Sequence, residues 1–114
     1  MQIARIAFHL VDPELTVETL VADGAPCIEG QTLMTIEGAA ASILSAERVA
    51  LNFAGRLSGI ASLTALFVAE TKGTTTRVTC TRKTTPGLRT VEKLAVLHGG
   101  GFNHRFSLSD AVLI

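Results

Sequence analysis

Residues Arg77 to Arg89 read RVTCTRKTTPGLR, and their reading decides the fold. Arg77 to Thr81 is short and β-branched, which predicts a strand entering a sheet. Thr85-Pro86 then predicts a helix start, with Thr as N-cap and Pro at the first helical position, where a missing N–H costs nothing. Val91, Leu94, Ala95 and His98 carry the helical spacing onward, and Gly99-Gly100-Gly101 stops it. Asn103-His104-Arg105 follows, and Ser107 to Ile114, ending in Ala-Val-Leu-Ile, predicts a second buried strand. Strand, helix, strand in about 38 residues is a βαβ unit of a parallel sheet.

Working back toward the N-terminus, Leu15 to Ala22 alternates as a half-exposed strand, and Asp23-Gly24 turns the chain. Gln31 to Glu37 alternates again and is closed by Gly38. Ala39 to Thr71 is rich in Ala and Leu, with Leu57, Ile60, Ala61, Thr64, Phe67 and Val68 on one helical face. Ser45 is the expected N-cap of this helix and Lys72-Gly73 its expected stop. Gly55 and Gly59 lower helix stability and are expected to permit close packing. The expected class is α/β, with one domain over 1–73 and the start of a second over 74–114.

A length of 114 residues suits one domain or part of a larger protein. With 47% hydrophobic residues the chain can bury a core, and disorder is not expected. Five Phe with no Trp or Tyr leave that core to Leu, Ile, Val and Ala. Met1 to Ala7 lacks the pattern of a signal peptide. No uncharged stretch reaches the roughly 18 apolar residues of a membrane span. Cys27 and Cys80 have no metal-type spacing and read as reduced thiols, which points to a cytoplasmic protein.

Zero net charge conceals a division. Residues 1–71 hold three Arg and eight acidic residues, a net −5, whereas residues 72–114 hold seven Lys and Arg against two acidic residues, a net +5. Solvated faces alone can produce such a split, but so can an anionic partner for the second half. Arg82-Lys83 directly follows the first strand of the βαβ unit, at the sheet end where parallel α/β folds build their sites. Arg suits planar carboxylates through its fork, and Lys suits phosphate oxygens as a point charge. His104 and Arg105 add an imidazole and another cation, yet they reach the same site only if their loop folds over it. His98 reads as a helix-terminal residue, and the triple glycine lacks the order of a phosphate-binding loop.

Three blocks, ERVALNFAGRLSGIASLT, CTRKTTPGLRTVEKLAV and GGGFNHRFSLSDAVLI, resemble consecutive signatures of the quinolinate phosphoribosyltransferase family, also called nicotinate-nucleotide pyrophosphorylase (carboxylating). AFHLVDPELTVETLVADGAPCIEGQTLMTIEG matches more loosely. The resemblance implies part of an N-terminal α/β sandwich followed by the first βαβ unit of an open (β/α) barrel. It implies phosphoribosyl transfer from phosphoribosyl pyrophosphate to quinolinate with decarboxylation, a step of NAD biosynthesis, assisted by Mg²⁺. It further implies that Arg82 and Arg105 hold the quinolinate carboxylates, with His104 beside them and Thr81 in the same stretch. Lys83 would face the donor, and Lys83 and His104 are the expected catalytic residues. Arg48 resembles the arginine that reaches a neighbouring subunit's site, which makes a homodimer or a higher assembly the expected form. The family's KDNH-like lysine would follow Ile114, and the expected Mg²⁺ ligands lie outside these residues. The chain is accordingly expected to be an internal fragment, inactive alone.

Other readings compete. DGAPCIEGQTLMTIEG also resembles lipoyl- and biotinyl-type carrier domains, but residues 1–71 contain no Lys to carry the cofactor. A similar strand arrangement could persist as scaffold. A structural or oligomerising piece with unpaired strand edges is the remaining alternative. Nucleic acid is not an expected partner, because the basic half lacks interleaved aromatics and any recognised motif; nor is a membrane, for want of a span-length apolar stretch.

Overall fold

A computed structural model describes residues 1–111. The element order is α1 (Gln2–Val11), β1 (Thr16–Thr19), β2 (Met34–Glu37), α2 (Ala40–Glu70) and α3 (Arg89–His98). Two compact units divide within α2, between Arg56 and Leu57.

In the first unit, β1 and β2 pair antiparallel, with Val17 opposite Ile36 and Thr19 opposite Met34. Side chains alternate across a strand, so Val17, Met34 and Ile36 share one face. That face packs with Ala7, Ile43 and Ala54 against a core of Ala4, Phe8, Leu15, Ala46 and Ala50. The small Ala46 and Ala50, each 1% exposed, let the first half of α2 approach closely. The Asp12 carboxylate bonds the Ser42 hydroxyl and accepts the Glu14 N–H, and these bonds hold it below the usual carboxylate range. Helix α1 was not expected from the sequence. Ala4 and Phe8, its buried positions, stand four apart and were the signal for it.

The strand expectations are met in part, since the ladders are shorter than the alternating runs. Ser45 is not an N-cap. The helix begins five residues earlier, just after Gly38, and the Ser45 hydroxyl instead donates to Ala41 O at 2.7 Å. The stop holds, with Thr71 and Lys72 donating back to Val68 and Ala69 before Gly73. Close packing at Gly55 and Gly59 is not found: a β-carbon built on either meets nothing within 4 Å among the described residues. By length and composition α2 could cross a membrane. Its Ala46 and Ala50 nevertheless lie in a folded core, and Thr64 is buried too.

In the second unit, Thr79 pairs with Phe102 in a parallel bridge. Cys80 N–H donates to Phe102 O at 3.0 Å and Phe102 N–H to Val78 O at 2.8 Å. The strand–helix–strand order is therefore present, though its ladder is brief. The chain turns at Thr81, whose hydroxyl accepts the Lys83 N–H at 3.1 Å. The returning segment pairs at Phe102, immediately after the glycines, rather than at Ser107. Ser107 to Asp110 forms a bend and turn, and the remainder of the expected strand, 112–114, lies outside the described residues.

Helix α3 also starts later than expected. Thr85 to Leu88 is a turn closed by Leu88 N–H to Thr85 O at 3.0 Å. Gly87 has φ +79, as the third position of a type II turn requires after Pro at the second. Thr85-Pro86 thus builds a turn before the helix. The glycines after α3 do more than stop it. A β-carbon on Gly99 would lie 2.7 Å from Thr64 Cβ, and one on Gly101 would lie 2.8 Å from Val96 Cγ1 and 2.9 Å from Thr64 Cγ2.

Gly101→Ala is expected to overpack this contact and cost about 1–3 kcal/mol in urea denaturation. Gly55→Ala, in open space within a helix, should instead raise stability by roughly 0.5–1 kcal/mol.

Candidate active site

Parallel pairing sends both chains toward the same end of the sheet. Beyond the bridge, one continues into Thr81, Arg82 and Lys83, and the other into Asn103, His104 and Arg105. The five expected side chains Thr81, Arg82, Lys83, His104 and Arg105 therefore emerge at one strand end. The condition for His104 and Arg105, that their loop fold over the site, is not needed: they lie beyond the pairing, not before it.

Helix α3 ties the two exits together. Arg89 Nε donates to Thr84 Oγ1 at 3.2 Å, and its Nη1 donates to Phe106 O at 3.4 Å. Glu92, 8% exposed, accepts the Thr85 N–H through Oε2 at 3.1 Å. Lys93, only 2% exposed, donates to Cys80 Sγ at 2.8 Å and to Arg105 O at 3.2 Å, with His104 O at 3.5 Å. Cys80 in turn donates to Asn103 Oδ1 at 3.3 Å and accepts the His104 N–H at 3.4 Å. Arg89, Glu92 and Lys93 were not singled out from the sequence, whereas Cys80 was read only as a reduced thiol and Asn103 only as the start of the segment 103–105. Lys93 sits beside the apolar positions Val91, Leu94 and Ala95, where a cation reads as part of a solvated face.

The expected residues differ in how they are held. Arg82 is half-buried, and its Nε is shielded from solvent with no acceptor among the described residues. Such a donor is costly to leave unmade and suits an incoming anion. Thr81, Lys83 and His104 are exposed. Arg105 donates through Nη1 to Ala111 O at 2.8 Å. Asp110 accepts the N–H groups of Phe106 at 2.6 Å and Ser107 at 3.1 Å. The Ser107 and then the Phe106 bond, with a smaller effect of the Lys93 charge, hold its carboxyl below the usual range. Arg48 is exposed on α2 and belongs to the first unit. Among the described residues no three His, Cys, Asp or Glu side chains gather to hold a metal, so these residues by themselves do not fit a Mg²⁺ site.

Family models match both parts of the chain: the quinolinate phosphoribosyl transferase N-terminal domain over residues 1–58 and the C-terminal domain over residues 60–114. The chain belongs to this family. A nicotinate-nucleotide pyrophosphorylase [carboxylating] of Mycobacterium leprae is 48% identical over 82% of the chain and 33% of its own length. Quinolinate phosphoribosyltransferase [decarboxylating] 1 of Nicotiana glauca is 46% identical over 98% of the chain and 31% of its own length. The crystal structure of NadC from Streptococcus pyogenes superimposes with a TM-score of 0.94 at 46% identity, covering 98% of this chain and 40% of that one. The chain thus spans about a third to two-fifths of the relatives it matches. The two family domains meet at 58–60, within α2, whereas the sequence reading placed a division after residue 73.

Asp110 supplies a test of the loop. Its folded pKa lies below the unfolded value of about 3.9, so its contribution is full above that pH and is lost as pH falls through the folded value. Asp110→Asn should flatten this acid limb of stability, measured by denaturation at stepped pH. It should also speed amide exchange at Phe106 and Ser107.

Proposed function

We propose that the protein carrying this chain transfers the phosphoribosyl group of phosphoribosyl pyrophosphate to the ring nitrogen of quinolinate. The products are nicotinate mononucleotide, pyrophosphate and carbon dioxide. The observation that carries this reading is the set of cations gathered at one sheet end by the parallel pairing, in a chain of this family. Quinolinate and its donor are both strongly anionic. Bringing them together costs Coulomb energy that fixed cations offset without reorganising during the reaction.

Arg82 and Arg105 are assigned to the two carboxylates, since guanidinium forks match that geometry. Arg82 Nε is the donor still without an acceptor. Lys83, exposed and one residue further out, is assigned to the donor's phosphates, and His104 and Thr81 line the pyridine side. As the bond to pyrophosphate lengthens, the ribose carbon takes on oxocarbenium character. The ring nitrogen's electron pair forms the new bond while pyrophosphate leaves with the old one. Loss of carbon dioxide leaves electrons on the ring that the cationic nitrogen stabilises, and a proton completes nicotinate. The protein's part is to position the reactants and hold their charge.

Arg48 is assigned to the site of a neighbouring subunit, which makes the working form a homodimer or an assembly of dimers. Mg²⁺ would accompany the pyrophosphate, on ligands outside the described residues. A cytoplasmic location belongs to the same proposal and is supported by two free thiols. Two Nicotiana tabacum relatives are named as mitochondrial, so location varies within the family. Neither membrane nor nucleic acid is a partner in this reading.

Arg82→Ala in the full-length protein should weaken quinolinate binding by more than about 1–3 kcal/mol, read by titration calorimetry. Lys83→Ala should act chiefly on the donor. An exchange of the two effects would sink the assignment.

For Arg48, mixing full-length Arg48→Ala chains with Lys83→Ala chains should restore activity in hybrid dimers. Random mixing gives one intact site in about half of the dimers, so about a quarter of wild-type activity should return. A mixture that exchanges subunits yet stays inactive places Arg48 within its own chain's function.

A further inference from the structure

Lys93 is the most buried large side chain described, at 2% exposure. An ammonium loses much of its hydration there, and only full hydrogen bonding offsets that loss. Lys has three donors, and the structure supplies three acceptors: Cys80 Sγ at 2.8 Å, Arg105 O at 3.2 Å and His104 O at 3.5 Å. The Phe106 ring centroid adds a weaker contact at 5.9 Å. None of these acceptors is a carboxylate, and the three donors are spent inside the protein. Lys93 is therefore unsuited to bind an anionic substrate directly.

What the ammonium does is join two chain segments. Cys80 belongs to the first strand, one residue beyond the bridge, whereas His104 and Arg105 leave the second. The thiol strengthens the joint by donating to Asn103 Oδ1 and accepting His104 N–H. We propose that Lys93 is a positioning residue: its buried ammonium pins the main chain at His104 and Arg105 to the end of the first strand, and so orients their side chains toward the substrate held by Arg82. The assignment rests on the proposed reaction for its effect on substrate, but its structural half stands apart. Removing the ammonium leaves two carbonyls and a sulfur without their shared donor, and segment 103–106 loses its anchor on α3.

The test is Lys93→Met in the full-length protein. KM for quinolinate should rise on the order of 10–100-fold, as when partners that orient a binding group are removed, while KM for the phosphoribosyl donor stays within about twofold. In an Arg105→Ala background the same substitution should add less than about twofold, because the group it orients is already gone. Amide exchange should accelerate at 103–106 while α3 stays protected, an outcome that needs no substrate. Equal rises in both KM values, additive effects in the double variant, or unchanged exchange at 103–106 would overturn the proposal. Should Lys93→Met not fold, Lys93→Gln carries the same three measurements with the same deciding outcomes. A wild-type protein that turns over neither substrate would overturn the proposed reaction, and the exchange comparison would still judge Lys93.

Discussion

Two backbone hydrogen bonds, Cys80 N–H to Phe102 O and Phe102 N–H to Val78 O, decide where the cations of this chain come out. Because the pairing is parallel, both segments run the same way, and whatever follows each emerges at the same end. An antiparallel return would have sent Asn103-His104-Arg105 to the opposite edge. The direction of one short pairing therefore brings two separate basic stretches to the same end. Such a ladder is weak alone, and the bonds from α3 to both exits supplement it.

Those bonds depend on where α3 sits, and Gly99 and Gly101 control that. Side chains at either position would collide with Thr64 or Val96, so their absence permits the end of α3 to approach α2. Thr64, buried and donating to Ile60 O at 2.8 Å, offers a compact surface for the contact. From that seat the first turns of α3 present Arg89, Glu92 and Lys93 to the loops on either side. In this way a packing constraint at one end of a ten-residue helix bears on where its other end meets the loops 81–85 and 103–106.

Burial sorts the charges of the second half into two populations. Lys93 is desolvated and saturated by internal acceptors, and Arg89 bonds both loops, so these cations serve the scaffold. Lys83 is exposed, and Arg82 keeps a shielded donor without an acceptor among the described residues, so neither is spent on the scaffold there. The chain that carries this sorting belongs to the quinolinate phosphoribosyl transferase family.

Sequence alone determined the strand–helix–strand order, the long apolar helix, the presence of two short strands before it, and the family. These follow from local periodicity and from motifs of fixed spacing, which a linear string preserves. It missed α1, although Ile3, Ala7 and Leu10 repeat there at helical spacing beside Ala4 and Phe8. It began α3 too early, because Thr-Pro opens a type II turn as readily as a helix until Gly87 takes positive φ. It expected the returning strand at the most apolar stretch, whereas the pairing falls at Phe102. Tertiary structure alone decided that the His104–Arg105 segment leaves the pairing at the same end as Arg82, and that Lys93 is buried. Burial of a charged side chain depends on which acceptors distant segments bring to it, here Cys80 Sγ and the carbonyls of His104 and Arg105, and no local pattern encodes that meeting.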